Sequence, residues 1–264
     1  MSPGGKQIAF VADRGATDDV FVISSNGKKE VQLTRSPEDE EIVGWRPNGK
    51  QLLFSRFASG ISHHFAIDLD GKNERGIGSV AGQTPIISPD GKRIMYMAGT
   101  WTASKLMVSS LDGSNALPLT DGTTVAWTHR WGPDGKRIAF TSRKNATSEL
   151  TLFVMNSDRT ELSQVTHFGA GEHAQWGVWS PDGRRLAFQL NKPKEETGCI
   201  WSADLATGAT RQLTAHDQPY LDETPSWFPD GNRIAFQSNR TGRMEVRVMN
   251  ADGSEQHQVP GTRT

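Results

Sequence analysis

Cysteine is all but missing. Cys199 is the single one in 264 residues, so no internal disulfide and no multi-cysteine zinc site can form. Excess charge is missing too: 29 Lys and Arg face 30 Asp and Glu, for a formal net charge of −1. With no basic stripe along the chain, nucleic acid is not an expected partner. No apolar run approaches the roughly 20 residues that span a bilayer as a helix, so no membrane insertion is expected. The opening Met1-Ser-Pro-Gly-Gly5 has none of the parts of a signal peptide. The expected location is therefore cytoplasmic, or periplasmic or secreted if a leader has been removed. Absent as well are Gly-x-Gly-x-x-Gly, the phosphate-cradling Gly-x-x-x-x-Gly-Lys-Ser/Thr, the nucleophile elbow Gly-x-Ser-x-Gly and His-Glu-x-x-His.

What the chain has is one motif written six times. It runs over 2–10, 46–54, 88–96, 132–140, 180–188 and 228–236, and its clearest copy is Ser180-Pro-Asp-Gly-Arg-Arg-Leu-Ala-Phe188. The prolines stand at 3, 47, 89, 133, 181 and 229, with spacings of 44, 42, 44, 48 and 48. A turn-punctuated, strand-rich repeat of that length signals a β-propeller with one blade per repeat.

The last repeat shows how a blade is written. Thr224–Phe228 reads as strand A, and Pro229-Asp-Gly231 turns the chain, proline presetting φ and glycine allowing a positive one. Arg233–Gln237 reads as strand B. Ser238–Gly242 is a second turn, Glu245–Met249 alternates cleanly as strand C, Asn250–Gly253 turns again, and Gln256–Val259 is a short strand D. The expected fold is all-β: a six-bladed propeller of four-stranded antiparallel blades, in a single domain over 1–264. Two irregularities are expected. The first motif starts at Ser2, so the first blade is incomplete or closed by the C-terminus. In the second repeat Arg75-Gly-Ile-Gly-Ser79 replaces the usual Gln-Leu-Thr, which predicts a poor outer strand.

Trp45, Trp131, Trp179 and Trp227, with Ile87 in the third repeat, share one position two before the proline, where a large side chain wedges between blades. Cys199, beside Ile200 and Trp201, reads as a buried, inert thiol. Asp68-Leu-Asp-Gly71 and Asn250-Ala-Asp-Gly253 open like calcium loops but lack the glutamate at the twelfth position, so they read as hairpin turns. Asp90, Asp134, Asp182 and Asp230 read as turn residues too. His63-His64 falls in the second repeat's B–C turn and is expected to be a solvated pair.

The Trp-Ser-Pro-Asp-Gly-x-Arg-x-Ala-Phe pattern, with Gln-Leu-Thr about 30 residues later, closely resembles the repeat of the TolB-like propellers, the WD-like Pro-Asp repeat family. The likeness covers essentially the whole chain and is most faithful over 179–188 and 223–236. It implies a six-bladed propeller with a central channel, of bacterial type. The same repeat serves periplasmic scaffolds, peptidase gating domains, sensor domains and some polysaccharide lyases. TolB itself is periplasmic, and its propeller mouth binds a peptidoglycan-associated lipoprotein. This sequence is expected to lack both TolB's N-terminal α/β domain and the hydrolase domain that follows the propeller in dipeptidyl-peptidase relatives.

Candidate site residues are sought where equivalent positions differ. Four residues before the Trp position stand Glu41, Gln83, Trp127, Gln175 and Glu223. One further back stand Glu40, Gly82, Ala126, Ala174 and Asp222. His129, His173 and Trp176 lie close by in sequence, as do Glu172, His216 and Tyr220. The predicted ligand-binding set at the channel mouth is Glu41, Gln83, Trp127, His129, His173, Gln175, Trp176, Asp222 and Glu223, a polar cup able to take a peptide, a protein or a glycan. No cofactor and no catalytic residue is expected, a channel-bound cation being the one alternative. The function read from this is a non-enzymatic binding scaffold. Two alternatives stay open. One is a carbohydrate-active hydrolase or lyase with Glu41 and Glu223 as its acid–base pair, which needs carboxyls about 5–9.5 Å apart. The other is a ligand-sensing domain of a larger protein.

Overall fold

Each repeat folds into its own antiparallel sheet, because three short turns leave consecutive strands no partner but each other. The computed structural model describes residues 1–13, 17–100, 103–122, 126–143, 149–192, 197–215 and 220–259. The first sheet holds β1 (Gln7–Asp13), β2 (Asp18–Ser24) and β3 (Glu30–Gln32). The second holds β4 (Glu40–Trp45), β5 (Gln51–Ala58), β6 (Ile61–Asp68) and β7 (Arg75–Val80). The third holds β8 (Gln83–Ile87), β9 (Arg93–Thr100), β10 (Ala103–Ser110) and β11 (Leu117–Pro118). The fourth is β12 (Ala126–Trp131), β13 (Arg137–Ser142), β14 (Thr151–Asn156) and β15 (Ser163–Gln164). The fifth is β16 (His173–Trp179), β17 (Arg185–Lys192), β18 (Thr197–Asp204) and β19 (Thr210–Gln212). The sixth is β20 (Asp222–Trp227), β21 (Arg233–Ser238), β22 (Glu245–Asn250) and β23 (His257–Gln258). In every sheet spatial order follows chain order. These are the six blades of an all-β propeller fold, four-stranded except the first, which has three strands among the described residues. The chain divides into two compact units, 1–122 and 123–264, of three sheets each.

The repeated motif is a set of turn bonds. In the fifth sheet the Ser180 hydroxyl donates to Asp182 Oδ1 at 2.6 Å, while Ser180 Oγ accepts the Arg185 N–H at 2.9 Å. Asp182 Oδ1 also accepts the Arg184 N–H at 3.0 Å. The third sheet repeats the arrangement through Ser88, Asp90, Lys92 and Arg93. The Ser180 hydroxyl bond holds the Asp182 carboxyl below its ordinary pKa. Both supposed calcium loops are turns of the same kind, with Asp70 Oδ1 taking the Lys72 N–H and Asp252 Oδ1 that of Ser254.

Gln-Leu-Thr has an equally direct meaning. The Thr34, Thr120, Thr166 and Thr214 hydroxyls accept the N–H of Val20, Leu106, Leu152 and Ile200 at 2.9–3.1 Å, locking each last strand to the third. Leu33, Leu119 and Leu213 are buried alongside.

Two expectations in the second sheet are corrected. Its outer strand is not poor: β7 has 6 residues, against 2 or 3 for the other outer strands. Gly78 explains this. Its φ is +155°, and a Cβ there would stand 2.3 Å from the Leu111 carbonyl oxygen. The missing side chain lets β7 lie directly on the third sheet, and a bulge opposite His64/Phe65 absorbs the register shift. His63-His64 is not a solvated turn pair either. Both residues lie within β6, and strand alternation turns His63 outward and His64 inward to 1% exposure. The registers Phe10↔Phe21, Phe54↔Phe65 and Phe140↔Phe153 place His64 where the first and fourth sheets carry Val20 and Leu152. Neither ring nitrogen has a hydrogen-bond partner among the described residues. Burial, with a smaller push from His63, lowers its pKa to about 4.

Candidate functional site

The first strand of every four-stranded blade breaks register at one place. Shifts fall between Gln83 and Ile86, Trp127 and Arg130, Gln175 and Val178, and Glu223 and Ser226, with a variant between Ile42 and Gly44. Inside four of these bulges a non-glycine residue takes the left-handed conformation: Thr84 (φ +49°), Thr128 (+44°), Trp176 (+58°) and Thr224 (+50°). A bulge re-aims the side chain it carries, and a bulky residue held at positive φ is strained. The sequence reading missed this device. Its signal was Pro85 and Pro225, each one residue past the left-handed position, since proline inside a strand marks a bulge.

In the first unit, Glu41 is exposed on β4 and Gln83 half-buried at the start of β8. Glu40, beside Glu41, is buried and belongs to the wall. Its carboxylate meets the Arg56 guanidinium at 2.8 Å and accepts the Thr34 hydroxyl. Arg56 also holds Glu74 at 2.7 Å. Burial raises the Glu40 pKa in spite of these partners.

In the second unit β12, β16 and β20 lie side by side. The Trp179 indole N–H donates to the Arg130 carbonyl at 3.3 Å, and that of Trp227 to the Val178 carbonyl at 3.2 Å. These bonds fix the three strands at one level and set Trp179 and Trp227 against the preceding blade. Trp127, Gln175 and Glu223 therefore stand at equivalent heights, and Trp176 shares that level. Trp176 is 41% exposed. Glu223 is half-buried, and its side chain makes no hydrogen bond or ion pair among the described residues. The Arg143 guanidinium lies over the Trp127 ring, 5.1 Å from its centroid.

Other members of the predicted set sit in the wall. Asp222 is fully buried, its Oδ2 2.6 Å from Arg240 Nη2, and it occupies the place Glu40 has in the second sheet. His129 is buried. His173 Nδ1 accepts the Leu150 N–H at 3.0 Å, and burial followed by the Arg143 charge lowers its pKa. Glu172 faces Lys192 at 3.6 Å, and Tyr220 lies under Arg240 at 4.7 Å. His216 lies outside the described residues. Of the proposed acid–base pair, Glu41 belongs to the first unit and Glu223 to the second. Among the described residues no three His, Cys, Asp or Glu groups come together to hold a metal. A cavity of about 390 Å³ lined by Thr241, Arg243, Met244, Glu245 and Gln258 sits by the turn between β21 and β22, on other elements than this surface.

A family model described as PD40, the TolB beta propeller domain, matches residues 98–262. A stretch of 91 residues is 34% identical to dipeptidyl-peptidase 5 of Porphyromonas endodontalis, covering 32% of this chain and 13% of that protein. Among solved structures, TolB from Acinetobacter baumannii superposes with a TM-score of 0.72 at 21% identity, covering 98% of this chain and 64% of that one. An oligogalacturonate lyase in complex with manganese superposes with a TM-score of 0.74 at 17% identity, covering 98% of this chain and 75% of that one. The chain thus spans 64% of the TolB chain and 13% of the peptidase. At these structural identities the likeness is one of fold, shared by TolB and by a lyase alike.

Proposed function

The chain belongs to the TolB beta-propeller domain family, and on that premise we propose that it is a non-enzymatic binding module that takes a protein or peptide partner on the first strands of its second unit. The observation that carries this reading is Trp176: a large aromatic side chain, 41% exposed, on a strand whose bulge holds it at φ +58°. The equivalent positions Thr84, Thr128 and Thr224 hold small polar side chains in the same conformation. A tryptophan there keeps the strain while leaving 41% of itself in solvent, and exposed tryptophans anchored on rigid strands are favoured centres of interfaces. Gln175, Glu223 and Thr224 flank it with polar groups suited to a rim.

The test uses Trp176→Thr, which installs the residue three other blades already tolerate. The wild-type protein and the variant, checked for equal melting temperature, are immobilised and challenged with cell-envelope extract. Partners retained by the wild type and released by the variant support the reading. Equal retention by both, or none by either, refutes it.

A further inference from the structure

The chemistry of that partner follows from how the neighbouring tryptophans are used, and the inference rests on the binding reading just given. In the second unit Arg143 covers Trp127 at 5.1 Å, Arg137 covers Trp179 at 4.9 Å and Arg185 covers Trp227 at 4.7 Å. Three indoles each carry a guanidinium from this chain. Trp176 carries neither a cation nor another ring among the described residues, and 41% of it faces solvent.

One strand away and at the same level stands Glu223, whose carboxylate has no ion pair among the described residues. Cations of this region are already engaged: Arg143 with Trp127, Arg240 with Asp222, and Arg130, whose Nη1 donates to the His129 carbonyl at 2.9 Å. The equivalent positions of the second unit, Trp127, Gln175 and Glu223, offer a ring, an amide and a carboxylate, and no lysine or arginine.

We propose that Trp176 and Glu223 together seat an arginine or lysine side chain of an extended partner segment. The indole face attracts the cation through its quadrupole, and the carboxylate supplies a charge-assisted hydrogen bond. A neutral sugar would stack on the ring and donate hydroxyls to the carboxylate, but would leave its charge unpaired. An acidic segment would be repelled by it.

The experiment uses arrayed decapeptides with one central arginine amid varied neutral residues, each paired with its citrulline counterpart, which keeps the planar shape and loses the charge. Binding is read for the wild type, Trp176→Thr and Glu223→Gln, with melting curves to show that both variants fold. The expected result is arginine peptides that bind the wild type, weaken about tenfold on citrulline exchange and by a similar factor in either variant, and weaken further with salt. Peptides that need Trp176 but bind equally as citrulline forms overturn the cation inference and leave the binding-module reading standing. Cellohexaose bound in a Trp176-dependent manner, with no arginine peptide bound, overturns the inference in favour of a glycan. No arginine peptide bound at all also overturns it, whereas the binding-module reading fails only on the extract experiment.

Discussion

The guanidinium of Arg185 lies 4.7 Å from the centroid of the Trp227 ring. Arg185 opens the second strand of the fifth sheet, and Trp227 closes the first strand of the sixth. The fifth repeat thus reaches forward with its arginine while the sixth reaches back with its indole N–H to Val178. The pair at Arg137 and Trp179 is built the same way. Trp227→Ala is expected to cost about 3–5 kcal/mol, as for large-to-small changes in packed sites. Arg185→Met keeps most of the aliphatic stem and is expected to cost about 1 kcal/mol. Urea unfolding of the two variants checks the ratio.

Arg56 holds Glu40 and Glu74 at once, and Glu40 is buried. Removing the cation leaves a buried carboxylate uncompensated. Arg56→Met is therefore expected to cost about 3–5 kcal/mol. The double change Arg56→Met, Glu40→Gln should cost less than the two single changes added together. A double-mutant cycle by denaturant unfolding measures the coupling.

His64 holds an aliphatic position without a partner for either nitrogen. Its folded pKa of about 4 lies below the ordinary 6.5. The unfolded chain therefore binds a proton before the folded one does. Stability should fall as pH drops from 6.5 to about 4, by roughly 3 kcal/mol in all, and this contribution should level off below that window. His64→Leu is expected to raise stability at neutral pH by about 1–2 kcal/mol and to remove this part of the acid sensitivity. Thermal melts of both proteins across that range check the sign.

Cys199 is fully buried with the Trp201 indole N–H 3.0 Å from its sulfur, and burial pushes its pKa up to about 12. A thiol reagent at mildly alkaline pH should leave the folded protein unlabelled and label it fully in denaturant. Labelling of the folded protein at a rate well above that of unfolding would contradict the described packing of the fifth sheet.

Much of the fold was legible because its devices are local. Ser-Pro-Asp-Gly closes bonds within six residues, and Gln-Leu-Thr places one hydroxyl and one leucine side by side, so each repeat spells its own blade. What was not legible depends on a neighbour. Two glycines in 75–79 looked like a failed strand, yet Gly78 is what lets β7 approach Leu111. The polar His63-His64 pair looked solvated, but alternation along β6 sends its second member inward. At the candidate site the sequence put Asp222 in the binding set beside Glu41 and Glu223, and noted Glu40 only as the equivalent of Asp222 in the second repeat. Only the arginines Arg56 and Arg240, distant in sequence, separate wall from surface. Its residue type put Trp176 in the predicted set, but the left-handed backbone angle that sets it apart was not legible.

The left-handed kink in the first strands of the last four sheets decouples a side chain from the blade beneath it. Threonine and tryptophan occupy it on the same backbone, so that place can be rewritten one blade at a time without disturbing packing elsewhere. A protein assembled this way can acquire a new specificity by a handful of independent exchanges, and the kinked positions are where a designer would begin.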